Sequence, residues 1–328
     1  MALALRFLSG EDVGRALSVK QAVAVMRDAF IQLSSGQAAV PLRTRIEVPA
    51  HGGTVLYMPA YLPGSELFGL KVVSLFRDNP AAGLPLIQAV VLVCDGRNGR
   101  PVAVMDGERL TALRTGAASG LATDLLARRD ATVVAVFGAG TQGRTQLEAV
   151  CAVRPITQAY VFDRDRARAD AFCREMRDKL SLPIGVADSP AVLRAADIVC
   201  TVTTSPTPVF AHEDLKPGVH INAIGAYKPA EREIPAATVC ASKLVVDQRE
   251  ACLSEPGDIV IPLQEGLIRP DHIYAEIGEI AAGLKRGRTS DSEITLFKSV
   301  GNAVQDLAAA AEILANAQRL GLGTEVHV

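Results

Sequence analysis

One stretch of the chain decides its fold: Ala131-Thr132-Val133-Val134-Ala135-Val136-Phe137-Gly138-Ala139-Gly140-Thr141-Gln142-Gly143. The apolar, mostly β-branched run from Val133 to Phe137 predicts a buried parallel strand. This run ends in a G-x-G-x-x-G pattern, and the next segment, Arg144 to Val153, has the apolar spacing of a helix. The stretch therefore predicts the strand–turn–helix unit that opens a doubly wound α/β domain.

The three glycines of this turn have distinct physical roles. Gly138 permits the tight turn, Gly140 lets backbone approach a pyrophosphate, and Gly143 lets the helix pack closely on the strand. The free N–H groups at the helix start would receive the pyrophosphate. A second predicted strand, Ala159 to Phe162, ends in Asp163, whose carboxylate can accept hydrogen bonds from ribose hydroxyls. The alternative is an ordinary strand–helix turn, but this context favours a dinucleotide site.

The residues after the second strand bear on which dinucleotide binds. Asp163 favours NAD(H), because a carboxylate repels a 2′-phosphate. Arg164 and Arg166 follow directly and offer cations for that phosphate. We therefore expect NAD(H) to be favoured and NADP(H) to be possible. Thr203, at the end of the predicted strand Ile198 to Thr203, is also assigned to the coenzyme.

Composition excludes several classes of partner. The chain has 328 residues, 49% hydrophobic and 21% charged, with a net charge of −2, as in globular proteins large enough for two domains. That charge predicts no binding of nucleic acid or of a membrane surface, and no apolar run is long enough for a span. The six scattered cysteines predict a reduced, cytoplasmic protein, and the five separated histidines suggest no metal.

The first part of the chain predicts an antiparallel α+β domain. A helix begins at Ser18, with Gln21 placed for a capping box and Gly36 as its stop. Five strands follow without intervening helices: Leu42 to Val48, Thr54 to Met58, Phe68 to Phe76, Leu86 to Asp95 and Pro101 to Met105.

A long helix from Asp106 to Arg128 then leads into a region where strands and helices alternate. The later strand candidates are Ile184 to Ala187, Ile198 to Thr203, His220 to Gly225 and Leu244 to Asp247. Ser292 to Leu320 is predicted to be helical, with a break near Gly301, and to return to the first domain. The fold class is therefore α/β, a doubly wound Rossmann sheet plus an α+β domain. The boundaries are residues 1–116 plus 302–328 for the α+β domain and 117–301 for the Rossmann domain.

Three cations stand where the pattern expects apolar or small side chains. Lys71 lies in an apolar strand, Arg114 lies in a helix of small residues, and Arg45 alternates with Arg43 and Glu47. A buried cation must find an anion or water. The structural alternatives are a solvated strand face for Arg45, an edge-strand or snorkelling charge for Lys71, and an internal salt bridge for Arg114. Together the three predict a carboxylate site, with arginine supplying a bidentate fork.

Four stretches together resemble the ornithine cyclodeaminase/μ-crystallin family of NAD(P)-dependent enzymes, and the resemblance covers nearly the whole chain. They are Met105-Asp106-Gly107-Glu108-Arg109-Leu110-Thr111-Ala112-Leu113-Arg114-Thr115-Gly116-Ala117-Ala118-Ser119, Gly138-Ala139-Gly140-Thr141-Gln142-Gly143, Ile221-Asn222-Ala223-Ile224-Gly225-Ala226 and Thr295-Leu296-Phe297-Lys298-Ser299-Val300-Gly301.

The resemblance implies that the α+β domain is a substrate-binding and dimerisation domain, through which a homodimer forms and which holds an amino- or imino-acid substrate. It implies a substrate carboxylate held by Arg45, Lys71 and Arg114, with Lys71 as the catalytic candidate. It implies a nicotinamide near Ala226 and Ser299-Val300, with Thr141 and Gln142 on the phosphates. The remaining assignments are Val300 to the substrate, and Arg114 and Tyr227 to the coenzyme.

Two departures from the cyclodeaminases bear on the reaction. Those enzymes carry an aspartate as acid and base where this chain has Tyr227. A phenol ionises about six pH units above a free aspartate and is a poor general base at neutral pH. Members of that subgroup also tend to carry threonine after Gly-Leu-Pro, where this chain has Leu86. Both differences weigh against ornithine cyclodeamination.

The predicted activity is therefore that of an oxidoreductase acting on C=N bonds. The expected substrate is Δ1-pyrroline-2-carboxylate or Δ1-piperideine-2-carboxylate, reduced to L-proline or L-pipecolate. The rival activities are ornithine cyclodeaminase, an alanine-dehydrogenase-like or opine-forming enzyme, and a non-catalytic binder of nucleotide. Ring size depends on pocket shape, which the sequence does not give.

Overall fold

The structure, a computed structural model, describes residues 4–327 and contains two compact units. Unit 1 comprises the residues up to Arg114 and those from Asn302 onwards, and unit 2 comprises Thr115–Gly301. No helix among the described residues is long and apolar enough to cross a membrane.

Unit 1 begins with a strand and two helices, continues as antiparallel strands, and leads into a helix that crosses the unit boundary. These elements are β1 (Ala4–Leu8), α1 (Gly10–Ala16), α2 (Val19–Ser34), β2 (Thr44–Val48), β3 (Gly53–Leu62), β4 (Leu67–Phe76), β5 (Ile87–Asp95), β6 (Pro101–Asp106) and α3 (Gly107–Leu126). The capping box predicted at Ser18 is confirmed, because its side chain and that of Gln21 each accept the other's backbone N–H. The predicted cap of the long helix is also present, since Asp106 accepts the N–H of Arg109 at 2.7 Å.

Unit 2 alternates strands with helices, as expected of a doubly wound domain. Its elements are β7 (Val133–Phe137), α4 (Thr141–Val153), β8 (Gln158–Phe162), α5 (Arg166–Leu180), β9 (Ile184–Val186), β10 (Ile198–Thr201), β11 (His220–Ala223), α6 (Ala236–Ala241), β12 (Lys243–Val246), α7 (Arg249–Ser254), α8 (Gly257–Gln264), β13 (Ile273–Glu276), α9 (Ile277–Ala281) and β14 (Thr295–Lys298). The eight strands are parallel, in the order β13-β12-β14-β11-β10-β7-β8-β9. The predicted Rossmann sheet is confirmed.

The order of these strands locates the edge at which a ligand binds. From β7 the chain builds outward to β8 and β9 on one side, and then returns to place β10 and β11 on the other. Helices on the two faces diverge at such a point, so a crevice opens beyond the carboxyl ends of β7 and β10.

One predicted element is wrong. The segment Ser292 to Gly301 was expected to be helical, but Thr295–Lys298 forms β14 in the interior of the sheet, between β11 and β12. All four residues of β14 are buried, and a short run buried on every side has no periodicity that separates a strand from a helix. Gly301, at φ +73°, separates the strand from the helix that follows.

The chain then returns to unit 1 as α10 (Ala303–Leu320) and β15 (Thr324–His327). These complete a seven-stranded sheet in the order β15-β1-β6-β5-β4-β3-β2, and α10 packs on α2 and on β3, β4 and β5. The strands β1, β13 and β15 were not predicted from the sequence.

Register places two of the predicted cations on one face of this sheet. Lys71 lies opposite Met58 and Val91, and Arg45 lies opposite Leu56, which lies opposite Val73. Residues directly opposite each other, and residues two apart on a strand, share a face. Arg45 and Lys71 therefore lie on the same face, whose buried centre packs under α10.

The opposite face of the seven-stranded sheet is apolar and partly exposed. The registers place six exposed large hydrophobic side chains on this face, away from Lys71: Phe7, Ile46, Tyr61, Phe68, Val90 and Val326. One face of an antiparallel sheet commonly meets water, but such a face is normally polar. A contiguous apolar face of this kind is typical of a protein–protein contact.

Candidate functional site

The glycine turn of unit 2 borders a cavity of about 560 Å³ at the predicted crevice. Gly138 has a φ of +109°, and a Cβ on Gly143 would lie 2.1 Å from the carbonyl oxygen of Gly138. A Cβ on Gly140 would meet nothing within 4 Å, and no side chain caps the first turn of α4. The turn is thus tightly packed at Gly143 and open at Gly140, where the N–H groups of the first turn of α4 are free to bind a pyrophosphate.

The cavity brings together residues from the carboxyl ends of β7, β8 and β10. Five of the residues assigned to the coenzyme line it, namely Gly138, Gly140, Asp163, Arg164 and Thr203. Thr141, Gln142 and Gly143 form the first turn of α4 and are not part of its lining. The lining supplies the glycine turn, a carboxylate and cations for an adenosine diphosphate, so it fits an NAD-type coenzyme.

Asp163 does not stand free in this cavity. Its carboxylate accepts hydrogen bonds from the backbone N–H groups of Ala139 (2.8 Å) and Asp165 (2.9 Å), and from Arg168 Nε (3.2 Å) and Nη2 (2.7 Å). Burial opposes ionisation, but these donors outweigh it and hold the pKa of Asp163 below its ordinary value. These four donors occupy the four lone-pair positions of the carboxylate. A ribose hydroxyl can therefore donate to Asp163 only if Arg168 moves away.

Two arginines near Asp163 line the cavity, and only one of them was predicted. Arg164 lines the cavity as expected, and so does Arg168, which was not predicted. Arg166 instead pairs with Asp170 and Asp188 and does not line the cavity. Since α5 begins at Arg166, a residue two positions further along its first turn faces Asp163, and strand-end spacing alone did not indicate this.

The residues expected near the nicotinamide are held by buried carboxylates. Asp247 accepts hydrogen bonds from Ser299 Oγ at 2.7 Å and from the N–H of Val300 at 3.0 Å. Ala226 donates its N–H to Glu233 at 3.2 Å. Tyr227 is exposed, with Lys228 Nζ 5.4 Å from its ring centre. Asp247 and Glu233 were not predicted, because an acid near a strand end looks like an ordinary loop residue in sequence.

Unit 1 brings two of the three predicted cations onto one acid. Lys71 Nζ lies 2.7 Å from Asp306 Oδ2, and Arg114 Nε lies 2.9 Å from Asp306 Oδ1. Arg114 Nη1 also donates to Gln305 Oε1 at 2.7 Å, and Lys71 Nζ lies 3.5 Å from Thr111 Oγ1. The side chains of Lys71 and Asp306 are each 2% exposed. The salt bridge considered for Arg114 is thus present, and it includes Lys71.

Burial lowers the pKa of Lys71 to about 8, with Arg114 lowering it and Asp306 opposing the change. Two cations share one carboxylate, so the cluster carries one uncompensated positive charge when Lys71 is protonated. Near it in sequence, Gln305 Nε2 and the side-chain amide of Asn302 are buried without a hydrogen-bond partner among residues 4–327. Unsatisfied buried polar atoms and excess charge are together typical of an anion site.

Arg45 does not join this cluster. It forms an ion pair with Glu47 on β2, and both side chains are about half exposed. Glu47 also accepts a hydrogen bond from Thr54. By register Arg45 is two strands and two residues from Lys71, a separation of roughly 12 Å between Cα atoms. Its assignment to the substrate carboxylate stays a prediction.

Comparison with known proteins gives one family across this architecture. The profile of the ornithine cyclodeaminase/mu-crystallin family matches residues 5–320. The Delta(1)-pyrroline-2-carboxylate reductase of Bacillus cereus (strain ZK / E33L) is 37% identical over 98% of this chain and 99% of its own. The solved Thermococcus litoralis enzyme of the same name, in complex with NADH and L-proline, is 45% identical, with a TM-score of 0.95 over 98% of this chain and 100% of that chain.

An archaeal alanine dehydrogenase dimer with bound NAD is 34% identical, with a TM-score of 0.93 over 99% of both chains. These likenesses extend over both units, so they cover the glycine turn of unit 2 and the buried cations of unit 1. The chain belongs to the ornithine cyclodeaminase/mu-crystallin family.

Proposed function

We propose that this protein is an NAD(P)H-dependent oxidoreductase that reduces a cyclic ketimine carboxylate. The proposed reaction converts Δ1-pyrroline-2-carboxylate to L-proline, or Δ1-piperideine-2-carboxylate to L-pipecolate. The likeness to Delta(1)-pyrroline-2-carboxylate reductases over almost the full chain supports this class of substrate.

The observation that carries the proposal is the cluster of Lys71, Arg114 and Asp306. It buries one more positive charge than negative, and an isolated buried charge is costly. A substrate carboxylate supplies the missing anion, and the guanidinium of Arg114 offers it a directional donor pair. The cluster therefore selects a substrate with one carboxylate, which both cyclic ketimines carry.

Lys71 provides the proton that the reduction needs. Adding a hydride to C=N places a negative charge on nitrogen unless that atom is protonated. The Lys71 ammonium, with its pKa lowered to about 8, holds a proton at neutral pH and releases it more readily than an ordinary lysine. Asp306 keeps Nζ in place through the 2.7 Å contact.

The coenzyme, when bound, supplies the hydride. Gly138 and Gly140 border the space for its pyrophosphate, and Asp163 and Arg164 border the space for its adenosine. Arg168 neutralises Asp163, so the adenosine subsite repels a 2′-phosphate less than it would if the aspartate were unpaired. This arrangement supports use of NADH together with NADPH.

The activity is tested by following NADH and NADPH oxidation at 340 nm with each cyclic imine, and by chiral identification of the product. We expect turnover with at least one imine and formation of the L-amino acid. Absence of turnover with both imines, alongside release of ammonia from ornithine, would instead establish a cyclodeaminase.

An alanine dehydrogenase is the second candidate, favoured by the likeness to the archaeal enzyme. Such an enzyme forms its imine from pyruvate and ammonia, so it shares the need for a carboxylate site and a hydride. Coenzyme oxidation that requires ammonium with pyruvate, without turnover of preformed cyclic imines, would support this candidate over ours.

We also propose that the protein is a cytoplasmic homodimer. The six unpaired cysteines support a reducing compartment. The apolar outer face of the seven-stranded sheet supports pairing with a second copy of the chain. The alanine dehydrogenase relative is itself a dimer.

A further inference from the structure

Glu233 is a buried acid that binds the ends of two neighbouring strands. Its Oε1 accepts hydrogen bonds from the N–H (2.6 Å) and hydroxyl (2.7 Å) of Thr203, which follows β10. Its Oε2 accepts from the hydroxyl of Thr201 (3.0 Å) and from the N–H groups of Gly225 (2.8 Å) and Ala226 (3.2 Å), which follow β11. The side chain is fully buried, so these five donors replace all of its hydration.

A buried ion pair between Asp258 and Lys298 fixes the backbone at Glu233. Asp258 accepts the N–H groups of Glu233 (2.7 Å) and Ile234 (2.9 Å), and its other oxygen lies 2.8 Å from Lys298 Nζ. Lys298 also donates to the carbonyl oxygen of Ala226 at 2.7 Å. The Ala226 residue is thus fixed at its N–H by Glu233 and at its carbonyl by Lys298.

The bound segments lie at the edge of the sheet where ligands bind. Thr203 lines the coenzyme cavity, and β11 is the strand next to β10. Gly225 is in direct contact with the carboxylate, since a Cβ there would lie 2.5 Å from Glu233 Oε2 and 2.3 Å from the Thr203 carbonyl oxygen. The carboxylate therefore sets the spacing of the two chain segments, and no larger residue fits at Gly225.

The contacts of this site favour an ionised acid. A carboxylate offers acceptors only, whereas a glutamine would direct an N–H at a backbone N–H in either orientation, because each oxygen of Glu233 accepts at least one of them. Burial raises the pKa of Glu233, with Lys298 opposing the change. Three of the five bonded groups are backbone N–H groups, which only donate, and both threonine hydroxyls point their oxygens at the carboxylate, so the contacts favour the anion.

We propose that Glu233 is a positioning residue for the nicotinamide half of the coenzyme, acting mainly through Ala226 rather than by touching the reacting atoms. The inference rests on the proposed function, which assigns the nicotinamide to the segment around Ala226. The adenosine half instead depends on Gly138 and Asp163, and of the groups bonded to Glu233 only Thr203 lines that cavity. Loss of the Glu233 carboxylate should then weaken binding of the nicotinamide half more than binding of the adenosine half.

The test compares NADH with ADP-ribose, which lacks the nicotinamide, by isothermal titration calorimetry on Glu233→Gln and on the unmodified chain. We expect NADH binding to weaken at least about tenfold, the worth of one or two buried hydrogen bonds. ADP-ribose binding should stay within about twofold of the unmodified protein, because the only part of its cavity that Glu233 holds is Thr203. Thr201→Val, which removes one donor outside the cavity lining, should give a smaller change in the same direction.

Asp197 supplies a matched control. It is a buried acid of the same sheet that accepts the N–H groups of Thr132 (2.8 Å) and Val133 (3.0 Å), at the amino ends of the strands. We expect Asp197→Asn to lower the melting temperature without changing the ratio of NADH to ADP-ribose affinity. Circular dichroism on each variant identifies loss of fold.

Equal weakening of NADH and ADP-ribose in folded Glu233→Gln would overturn the inference, since the acid would then support the domain in general. Unchanged NADH affinity would overturn it as well. Failure of the unmodified protein to reduce any cyclic imine would remove the proposed function, but the two binding constants would still decide the role of Glu233.

Discussion

Lys71 and Arg114 share a single buried carboxylate, and the charge of Lys71 decides whether the cluster can hold an anion. Burial lowers the pKa of this lysine to about 8, so it is protonated below that pH and neutral above it. If the protonated form binds substrate and supplies the proton, kcat/KM for the imine should fall as pH rises through about 8. A pH profile from about 6 to about 11.5 covers this pKa and the ordinary lysine pKa of about 10.4.

Two substitutions separate the lysine from other titrating groups. Lys71→Arg keeps a cation that stays protonated, so its residual activity should lose the decline near pH 8. Asp306→Asn removes the anion that raises the pKa of Lys71, so the decline should move to lower pH. An unchanged decline in Lys71→Arg would assign the titration to the imine itself.

Arg168 gives a second prediction, on coenzyme choice. Arg168→Met uncovers Asp163, which is 3% exposed while the arginine pairs with it. The freed carboxylate should favour the ribose hydroxyls of NADH and repel the 2′-phosphate of NADPH. We expect the ratio of NADPH to NADH dissociation constants, measured by coenzyme fluorescence, to rise at least about tenfold, the worth of a charge-assisted hydrogen bond.

Arg166→Met is the control for this prediction, because Arg166 pairs with Asp170 and Asp188 away from the cavity. It should leave the ratio unchanged. A ratio that responds to Arg166→Met but not to Arg168→Met would show that the neutralising pair has no part in coenzyme choice.

Residue type alone identified some of these side chains and not others. Lys71 and Arg114 were predicted because a cation among apolar neighbours is unusual and must have a partner. Asp306 was not predicted, since an acid in the first turn of an alanine-rich helix has an ordinary explanation in the helix dipole. Arg45 was grouped with the other cations, yet its exposed strand position leaves it paired with Glu47. Such pairing depends on register between distant strands, which one sequence does not reveal.

At the scale of elements, the local sequence predicted β7 and α4 correctly but did not predict β14. A strand followed by glycines of fixed spacing has few alternative structures. The segment Thr295–Lys298 lies between two strands that are distant in sequence, so its conformation is set by partners and not by its own pattern. Its lysine is buried by Asp258 and Ala226, an environment visible only in the folded chain.

The two glycines of the β7–α4 turn should respond differently to alanine. A Cβ on Gly143 would lie 2.1 Å from the Gly138 carbonyl, so Gly143→Ala must displace the helix start and should destabilise the protein by about 1–3 kcal/mol. A Cβ on Gly140 meets nothing within 4 Å, so Gly140→Ala should keep its melting temperature while losing NADH affinity. Thermal melts and NADH titrations of both variants check this. Normal NADH affinity in Gly140→Ala would place the pyrophosphate elsewhere.

At the scale of the whole molecule, the outer face of the seven-stranded sheet should hold two chains together. Val90 is 40% exposed and Phe68 is 38% exposed in one chain, so burying the area that each still exposes would stabilise a dimer by roughly 1 kcal/mol per side chain. Val90→Lys places a charge in the proposed contact, so the variant should sediment as a single chain at micromolar concentration, whereas the unmodified protein should sediment as two.

Leu284→Lys is the matched control for Val90→Lys, because Leu284 is 76% exposed and belongs to unit 2, not to the seven-stranded sheet. It should leave the sedimentation coefficient unchanged. Assembly through this face would be contradicted if the unmodified protein sedimented as one chain. It would also be contradicted if the Val90→Lys variant remained a dimer. Agreement would also explain why a sheet with its helices on one face keeps large apolar side chains on the other, since a second copy would remove them from water.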